Sequence, residues 1–487
     1  MKRREFLLRS LALWAGARTG WASAAAKPSK PNVLFIAVDD LNHWVGHLGR
    51  NPQTKTPNID RLAQMGVTFT RANCAAPVCN PSRAALMSGL RASTTGVYDN
   101  GQDWKLAITK EQTLTTQFLK AGYHVFGAGK IYHSSDHRPG EWTEYFEKAG
   151  GGNLLRHPSA PDDGVGGIKF CPLDARDEDM PDYKVVSYGI EKLTQKHDKP
   201  FFLAIGLVKP HMPFSVPKKY FDMFPLDSVQ LPPHRENDLD DVPAAGIKMA
   251  KPDGDHALIL KSGRWKDAVQ AYLATIAFCD AQVGRLLDGL QESAYRDNTI
   301  ICFWSDHGWH LGEKSHWRKF ALWEEAARTV FIWSAPGVTK PGGVCARPVD
   351  FMSIYPTLCT LTGLPRPAHV EGHDIRPLLA NPRAPWDHAA VTTFRKDNHS
   401  IRSETWRYIR YADGGEELYN HDKDPYEWTN LAKDPQYAAV KVELAGFAPK
   451  VNAPELPRGT GISESKQGGA ARDKAAKKAK AKAKAGP

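Results

Sequence analysis

The sequence is poor in cysteine and has no long apolar run. Seven cysteines among 487 residues are too few for a fold held together by disulfides. No uninterrupted apolar segment approaches the ~18–20 residues of a membrane-spanning helix, so we predict no transmembrane span. Apolar residues as such are plentiful, at 41% of the chain, which excludes global disorder. At roughly 100–200 residues per domain, the length allows two to four domains, or a large domain with a small one.

The formal net charge of the chain is +10, but the middle of the chain carries none of this excess positive charge. Residues 1–24 carry five basic side chains and one acidic one, and residues 451–487 carry nine basic and three acidic ones. These two ends supply the whole excess, so residues 25–450 are formally neutral. Because the folded part has no excess of basic over acidic side chains, we expect no nucleic acid among its partners.

Both ends differ in composition from the body. Residues 1–24 contain KRREFLL, a modest apolar stretch and ASA at the end, the pattern of a twin-arginine export signal. This pattern predicts a periplasmic or secreted bacterial protein; the alternative is an ordinary basic amphipathic helix. Residues 454–487 are rich in Lys, Ala, Gly and Ser, which predicts a disordered tail. The alternative is a tether for a polyanion such as acidic polysaccharide or nucleic acid.

The body alternates apolar runs of strand length with helical patterns. We predict strands at residues 33–38, 123–128, 201–208, 299–305 and 330–334, and helices at 112–120 and 266–291. A further helix, capped by Asn58, ends at Met65. Apolar strands between helices predict an α/β domain over residues 31–387, with a large, mostly parallel sheet covered on both faces. Close-set alternating strands at 400–402, 405–411 and 416–419 predict a small antiparallel subdomain over residues 388–450.

Two of the predicted strands end in acidic residues. Asp39 and Asp40 follow the first strand, and Asp306 and His307 follow the strand at 299–305. At the carboxyl edge of a parallel sheet these carboxylates would repel one another unless a cation neutralised them. The oxygen-rich set favours Ca²⁺ or Mg²⁺ over Zn²⁺. An aspartate after a strand also commonly caps a helix, and that alternative stays open.

The segment CNPSR, residues 79–83, places a cysteine just before a helical pattern. Cys79 would lie near a helix N-terminus, where the dipole and free N–H groups favour anionic ligands. Arg83 lies one helical turn further and can point back to the same place. The alternative is a buried cysteine in front of a helix that a proline initiates.

This segment resembles the C-x-P-S-R signature of the type I, formylglycine-dependent sulfatases. The resemblance extends from about residue 31 to residue 435, with further motifs in the family's order: PNVLFIAVDD from 31, TPNIDRL from 56, GKIYH from 129, KPHMPF from 209, SDHG from 305, LGE from 311 and ELYN from 417. The His after the third aspartate is most similar to the iduronate-2-sulfatase-like group. The resemblance implies an alkaline-phosphatase-like fold and hydrolysis of a sulfate ester on a sulfated carbohydrate.

The resemblance also implies the chemistry of the site. A maturation enzyme would oxidise Cys79 to formylglycine, whose hydrate attacks sulfur, releases the alcohol and then expels sulfate. Ca²⁺, or Mg²⁺, would be held by Asp39, Asp40, Asp306 and His307 and would touch residue 79. Arg83 would hydrogen-bond the formylglycine oxygens, and Lys130 and Lys319 would clamp the sulfate. His133 would take the proton of the second hydroxyl, and His211, with Lys319 as its rival, would protonate the leaving oxygen.

Two other functions remain open from the residues alone. A phosphonate or phosphate monoester hydrolase of the same superfamily would use a similar site, because both substrates are tetrahedral oxyanions. A catalytically silent glycan-binding protein would keep Cys79 as a thiol and bind through its basic tail. Four histidines near the predicted site are candidate substrate contacts: His43, His47, His310 and His316. Of the other cysteines, Cys279 and Cys302 fall in core patterns and are expected to be free thiols.

Overall fold

A computed structural model describes residues 30–133, 137–147 and 163–459 of the chain. The predicted export signal and residues 460–487 of the predicted tail lie outside these ranges. Within them, no helix is both long enough and apolar enough to cross a membrane. All seven cysteines are buried, and Cys279 and Cys302 are free thiols, as expected.

Strands and helices are numbered in chain order over the described residues. The strands are β1 (Asn32–Val38), β2 (Val67–Phe69), β3 (Ala72–Asn73), β4 (His124–Gly129), β5 (Glu144–Phe146), β6 (Gly164–Val165), β7 (Ile168–Leu173), β8 (Phe201–Leu207), β9 (Phe214–Pro217), β10 (Thr299–Ser305), β11 (His310–Leu311), β12 (Trp317–Arg318), β13 (Phe331–Ser334), β14 (Gly343–Cys345), β15 (Val349–Asp350), β16 (Ala390–Thr393), β17 (His399–Arg402), β18 (Trp406–Arg410) and β19 (Glu416–Asn420). The α-helices are α1 (Pro57–Met65), α2 (Cys79–Ser88), α3 (Ala92–Thr95), α4 (Leu114–Lys120), α5 (Pro181–Thr194), α6 (Lys218–Phe221), α7 (Ala244–Ala250), α8 (Asp255–Ser262), α9 (Trp265–Glu292), α10 (Glu324–Ala327), α11 (Ile354–Thr362), α12 (Arg376–Ala380) and α13 (Ala438–Ala445).

Eight of the described strands form the central sheet, in the spatial order β14–β2–β13–β10–β1–β8–β4–β5. β1 lies inside the sheet and is parallel to both of its neighbours, β10 and β8. β13 runs antiparallel to β10 and to β2. The predicted mostly parallel sheet is confirmed, with β13 as the exception. A short, fully apolar run has no pattern that indicates the direction of its strand.

The sheet is buried on both faces, as the apolar runs predict. Alternate residues of β1 contribute to two separate cores: Leu34 and Ile36 pack on one side, and Val33 and Phe35 on the other. The long helix α9 covers the first face, and residues of α2 and α11 cover the second. This arrangement fixes the carboxyl ends of β1 and β10 at one edge of the sheet.

The start of α1 differs from the prediction. The helix begins at Pro57, and Thr56 rather than Asn58 precedes its first turn. Its free backbone N–H groups are satisfied by Asp280 of α9, whose Oδ1 accepts from the N–H groups of Asn58 and Ile59 at 3.0 and 2.8 Å. A capping residue from a distant helix leaves no local sequence signal.

The C-terminal residues form the predicted antiparallel subdomain. β16, β17, β18 and β19 pair in that order, each antiparallel to the next. The buried Arg407 of β18 joins this sheet to the rest of the molecule through ion pairs with Glu324 and with Glu427, the latter at 2.6 Å. The predicted boundary at residue 387 falls just before β16.

The predicted start of the disordered tail, residue 454, lies too early in the chain. Residues 451–459, here called the C-terminal arm, run along residues 93–102. The N–H groups of Ala453, Leu456 and Gly459 donate to carbonyl oxygens of this stretch at 2.7–3.0 Å. Gln102 donates in turn to the Leu456 carbonyl at 2.7 Å. The composition of residues 454–459 is polar, but their backbone groups find partners on the body of the protein.

Candidate active site

The parallel pairing of β1 and β10 brings the two acidic segments together. Val38 is in register with Ser305, so Asp39 and Asp40 leave one strand beside the point where Asp306 and His307 leave the other. The backbone N–H of Asp40 donates to Asp306 Oδ1 at 3.1 Å. All four side chains are inaccessible to solvent. The convergence predicted from the strand ends is therefore present.

Cys79 is the first residue of α2 and is fully buried against these acids. Its Sγ lies 3.2 Å from His307 Nε2 and 3.5 Å from Asp39 Oδ1. Burial and the neighbouring Asp39 raise the pKa of the Cys79 thiol well above its usual value. An unmodified Cys79 therefore stays a thiol at neutral pH in this environment, and a thiol is a poor nucleophile.

Arg83, one turn along α2, is fully buried and holds the acids rather than residue 79. Its Nε donates to Asp306 Oδ2 at 2.7 Å, and its Nη2 lies 3.4 Å from Asp39 Oδ1. Its remaining N–H groups donate to three carbonyl oxygens, those of Val38, Lys130 and Ile131. These ion pairs form because two buried carboxylates need a counter-ion. The predicted hydrogen bonds of Arg83 to the oxygens of a formylglycine at residue 79 stay a prediction.

Two lysines complete the ring of charge around Cys79. Lys319 Nζ lies 3.0 Å from Cys79 Sγ and 3.0 Å from Asp40 Oδ1. Lys130, which follows β4, pairs with Asp39 Oδ2. Both ammonium groups are almost fully buried. A sequence pattern alone would have left both lysines among ordinary surface residues.

The charges hold one another in their ionised forms. Burial alone would raise the pKa of Asp39, but Lys130, His211, Arg83 and Lys319 together hold it well below its usual value. Burial opposes the charge of Lys130 too, yet Asp39 raises the pKa of Lys130 above its ordinary value. Both groups are therefore charged at neutral pH, and the centre carries fixed positive charge beside residue 79.

The acidic residues fit a divalent cation. Ligand atoms of Asp39, Cys79, Asp306 and His307 lie within 4.8 Å of one another, as do those of Asp39, Asp40, Cys79 and His211. Asp40 Oδ2 is buried and has no hydrogen-bond partner. A buried carboxylate oxygen without a donor is costly unless something positive binds it. Carboxylate oxygens are the donors that Ca²⁺ and Mg²⁺ prefer.

His211 approaches the centre from the loop after β8. Its Nε2 lies 3.7 Å from Asp40 Oδ2. Lys209, two residues earlier, donates from its buried ammonium group to the carbonyl oxygens of His211 and Pro213. Asp182 accepts from the backbone N–H groups of Val208 and Lys209 at 3.0 and 2.8 Å. Lys209 and Asp182 thus fix the loop. The sequence analysis missed their role, because only the tertiary structure brings α5, which carries Asp182, next to the loop.

Ser82 is a third residue whose role the sequence analysis missed. Its hydroxyl donates to the Asp306 carbonyl at 2.6 Å and so ties α2 to the end of β10. The position of this serine in the CNPSR segment was the sequence signal that could have identified it. His133 is half-buried and lies three residues after Lys130, and its predicted role as a base stays a prediction.

The four other candidate histidines have internal partners. His43 pairs with Glu325 at 3.2 Å, and His47 pairs with Asp60 at 2.9 Å. His316 bonds the carbonyl oxygens of Ala250 and Lys319, both at 2.7 Å, and its ring packs edge-on against His310. Their role as substrate contacts stays a prediction.

A mostly parallel sheet covered by helices, with acids converging at its strand ends beside the buried Cys79, agrees with the predicted alkaline-phosphatase-like fold. Residues 31–364 match the family described as sulfatase, and residues 312–450 match the family described as N-sulphoglucosamine sulphohydrolase, C-terminal. The chain belongs to the sulfatase family and is a sulfate ester hydrolase, as its motifs predict. Its finer grouping with iduronate 2-sulfatase stays a prediction.

Individual proteins agree with this assignment. A sulfatase of Formosa agariphila is 39% identical over 481 residues, covering 93% of each chain. Iduronate 2-sulfatase of Homo sapiens is 30% identical over 389 residues, covering 69% of this chain and 70% of the relative. A solved protein in complex with its substrate D-glucosamine-2-N,6-O-disulfate superposes with a TM-score of 0.71 at 21% identity, covering 86% of this chain and 96% of the other.

Proposed function

We propose that the protein removes sulfate from a sulfated carbohydrate, with residue 79 acting as a formylglycine. The observation that carries this proposal is the position of the Cys79 side chain, which touches Lys319, Asp39 and His307 in a solvent-excluded centre. The Sγ atom stands where the oxygens of formylglycine would lie. Two of the similar proteins act on sulfated sugars by their names, iduronate 2-sulfatase and the enzyme of the disulfated glucosamine complex.

The proposed roles of the basic residues follow from their positions. Lys319 lies within 3.0 Å of the nucleophile atom, so it stabilises the charge that builds on a sulfate oxygen there. Lys130 contributes further fixed positive charge on the opposite side of Asp39. Arg83 is a positioning residue, because it acts through Asp39 and Asp306. His211 is the acid for the leaving oxygen, because its Nε2 reaches the centre at 3.7 Å from Asp40 Oδ2 and an imidazole can donate a proton there.

A divalent cation, Ca²⁺ or alternatively Mg²⁺, would be held by Asp39, Asp40, Asp306 and His307. Such a cation polarises a bound oxygen and acidifies a neighbouring hydroxyl. Support for this site comes from the oxygen donors and from Asp40 Oδ2, which is buried and accepts no hydrogen bond. We also propose export by the twin-arginine route to the periplasm or the medium, after a maturation enzyme has modified Cys79.

Turnover of a matched substrate pair tests the function. The enzyme, produced in a host with the maturation enzyme, is given 4-nitrophenyl sulfate and 4-nitrophenyl phosphate with CaCl₂ present. We expect a higher kcat/KM for the sulfate, and a panel of sulfated mono- and disaccharides then identifies the sugar. Faster hydrolysis of the phosphate would favour a phosphate or phosphonate esterase instead. Sugars that bind without turnover, with Cys79 unmodified, would favour the silent glycan-binding protein.

A further inference from the structure

His211 lies on a loop whose two ends belong to different sheets. The loop, residues 208–213 and here called the His211 loop, joins β8 of the central sheet to β9 of a three-stranded sheet. Leu207, the last residue of β8, is in register with Val38, so the loop begins beside the first acidic segment. The position of the buried imidazole therefore depends on how the loop is held, and not on a helix or a strand.

The backbone of the His211 loop is short of hydrogen-bond donors. Pro210 and Pro213 have no N–H group, so two of the six residues cannot donate from the backbone. The N–H of His211 donates to the Val208 carbonyl at 2.9 Å. The other carbonyl oxygens of a buried loop need donors too, and side chains can supply them.

The Lys209 side chain supplies such donors. It is buried, and its Nζ donates to the carbonyl oxygens of His211, at 3.1 Å, and of Pro213. The carbonyl oxygen between these two, that of Met212, lies 2.5 Å from His211 Nδ1. Because a carbonyl oxygen only accepts, Nδ1 carries a hydrogen, and Nε2 is the atom that faces the centre, 3.7 Å from Asp40 Oδ2. One ammonium group thus fixes the backbone on both sides of the carbonyl that orients the imidazole.

The two ends of the loop have anchors of their own. Asp182 of α5 accepts from the N–H groups of the first two loop residues at 3.0 and 2.8 Å, and Lys209 is the second of these. After the loop, the Phe214 ring packs edge-on against Tyr272, with 5.2 Å between centroids. The Tyr272 hydroxyl donates to the Asp40 carbonyl at 2.7 Å. Removal of the ammonium group should therefore loosen the middle of the loop and leave its ends in place.

We propose that Lys209 is a positioning residue that holds His211 at the leaving oxygen of the sulfate ester. This inference rests on the proposed function, in which His211 is the acid. As the formylglycine oxygen bonds to sulfur, the S–O bond to the substrate breaks and its electron pair stays on the leaving oxygen. The proton of His211 Nε2 joins that oxygen, so the product departs as a neutral alcohol. Lys209 acts on this step through the loop carbonyl groups that it binds.

The choice of leaving group reveals such a role. 4-Nitrophenolate is a stable anion, because its nitro group spreads the charge, and it departs with little help from an acid. Unsubstituted phenolate is more basic and gains more from a proton in the transition state. Misplacement of a catalytic group by about 1 Å can cost about 10²-fold in rate. Loss of Lys209 should therefore slow hydrolysis of phenyl sulfate far more than that of 4-nitrophenyl sulfate, whereas partial unfolding would slow both alike.

The test measures kcat/KM for phenyl sulfate and 4-nitrophenyl sulfate with CaCl₂ present, because this constant includes the step in which the alcohol departs. Matured enzyme is compared in five forms: wild type, Lys209→Met, His211→Ala, the variant with both substitutions, and the control Lys314→Met. The control removes another buried ammonium group that donates to a backbone carbonyl oxygen, here that of Glu427. Circular dichroism verifies the fold of each form.

We expect Lys209→Met to lower kcat/KM about tenfold or more for phenyl sulfate, but less than about threefold for 4-nitrophenyl sulfate. His211→Ala should show the same preference with a larger loss. Adding Lys209→Met to His211→Ala should change kcat/KM by less than about twofold, because no imidazole remains to be positioned. Lys314→Met should affect both substrates equally.

Asp182→Asn decides the question if Lys209→Met does not fold. An amide offers one acceptor oxygen where the carboxylate offers two, so one of the first two loop residues loses its partner while a polar group of the same size remains. The loop should shift with it, and kcat/KM should fall several-fold for phenyl sulfate and less for 4-nitrophenyl sulfate. Equal losses for the two substrates would overturn the inference.

Two results with folded Lys209→Met would also overturn it. One is an equal loss of kcat/KM for both sulfates. The other is a double variant in which Lys209→Met costs as much as it does in the presence of His211. Wild-type enzyme that hydrolyses neither sulfate would instead contradict the proposed function, so the two failures can be told apart.

Discussion

Lys319→Met removes the ammonium group that touches the nucleophile while keeping the length of the side chain. Lys319 Nζ lies 3.0 Å from both Cys79 Sγ and Asp40 Oδ1, and the side chain is 2% exposed. In the proposed mechanism this charge stabilises the sulfate oxygen that becomes more negative in the transition state. Loss of one such donor in a water-excluded site costs about 10²–10³ in kcat, or ~2.7–4 kcal/mol.

The same variant separates catalysis from cation binding. Lys319 and a cation would compete for Asp40, so removal of the lysine should leave Ca²⁺ affinity unchanged or raise it. KM for 4-nitrophenyl sulfate should change less than kcat, because the interaction strengthens as charge develops. The assay is steady-state turnover at saturating CaCl₂, with Ca²⁺ binding followed by calorimetry on the same samples.

Lys314→Met is the matched control for this variant. Lys314 lies five residues upstream, is 3% exposed, and pairs with Asp238 at 2.8 Å, away from residue 79. Each substitution removes one partner of a buried ion pair and should lower the unfolding free energy by ~3–5 kcal/mol. Only Lys319→Met should lower kcat by two orders of magnitude or more. A kcat within about tenfold of wild type, or equal losses in both variants, would refute the role given to Lys319.

Three further substitutions test other parts of the account. Asp306→Asn should lose both Ca²⁺ binding, measured by calorimetry, and aryl sulfate hydrolysis, because the substitution removes a charged ligand from the proposed site. A variant that keeps both properties would show that Asp306 is no ligand. Cys79→Ala should abolish aryl sulfate turnover while leaving the fold intact by circular dichroism, and appreciable residual turnover would contradict the proposal that residue 79 is the nucleophile. Burial raises the pKa of Asp280 from 3.8 to about 6. The contribution of Asp280 to the unfolding free energy should therefore fall by about 3 kcal/mol as the pH rises from about 4 to about 6, and the difference in unfolding free energy between wild type and Asp280→Asn, measured with urea, should fall with it; a difference that does not change with pH would exclude this role of Asp280.

The sequence predicted those parts of the fold that depend on local patterns. β10 agrees with its predicted bounds of 299–305, and the seven buried residues of β1 extend the predicted run by one residue. The acids at their ends could be placed together because the carboxyl ends of adjacent parallel strands share one edge. The direction of β13 and the cap of α1 by Asp280 depend on contacts between distant segments, which leave no local pattern.

The residues of the candidate active site divide in the same way, into those with a local sequence signal and those that only the tertiary structure brings in. Cys79 and the four residues proposed as cation ligands follow from strand ends and a helix start, so their sequence positions carry a signal. Lys319 lies 240 residues after Cys79, and only the folded chain brings its Nζ to within 3.0 Å of Sγ. Asp182 acts on the His211 loop through backbone N–H groups, which any residue type supplies, so no motif identifies it.

The mass of the peptide that contains residue 79 tests the central claim most directly. It is measured on enzyme preparations, produced with graded amounts of the maturation enzyme, whose 4-nitrophenyl sulfate turnover has been quantified. We predict that the fraction of the peptide with the mass of formylglycine rises in proportion to turnover and extrapolates to zero activity at zero conversion. Full turnover in a preparation whose residue 79 is entirely unmodified cysteine would contradict the account.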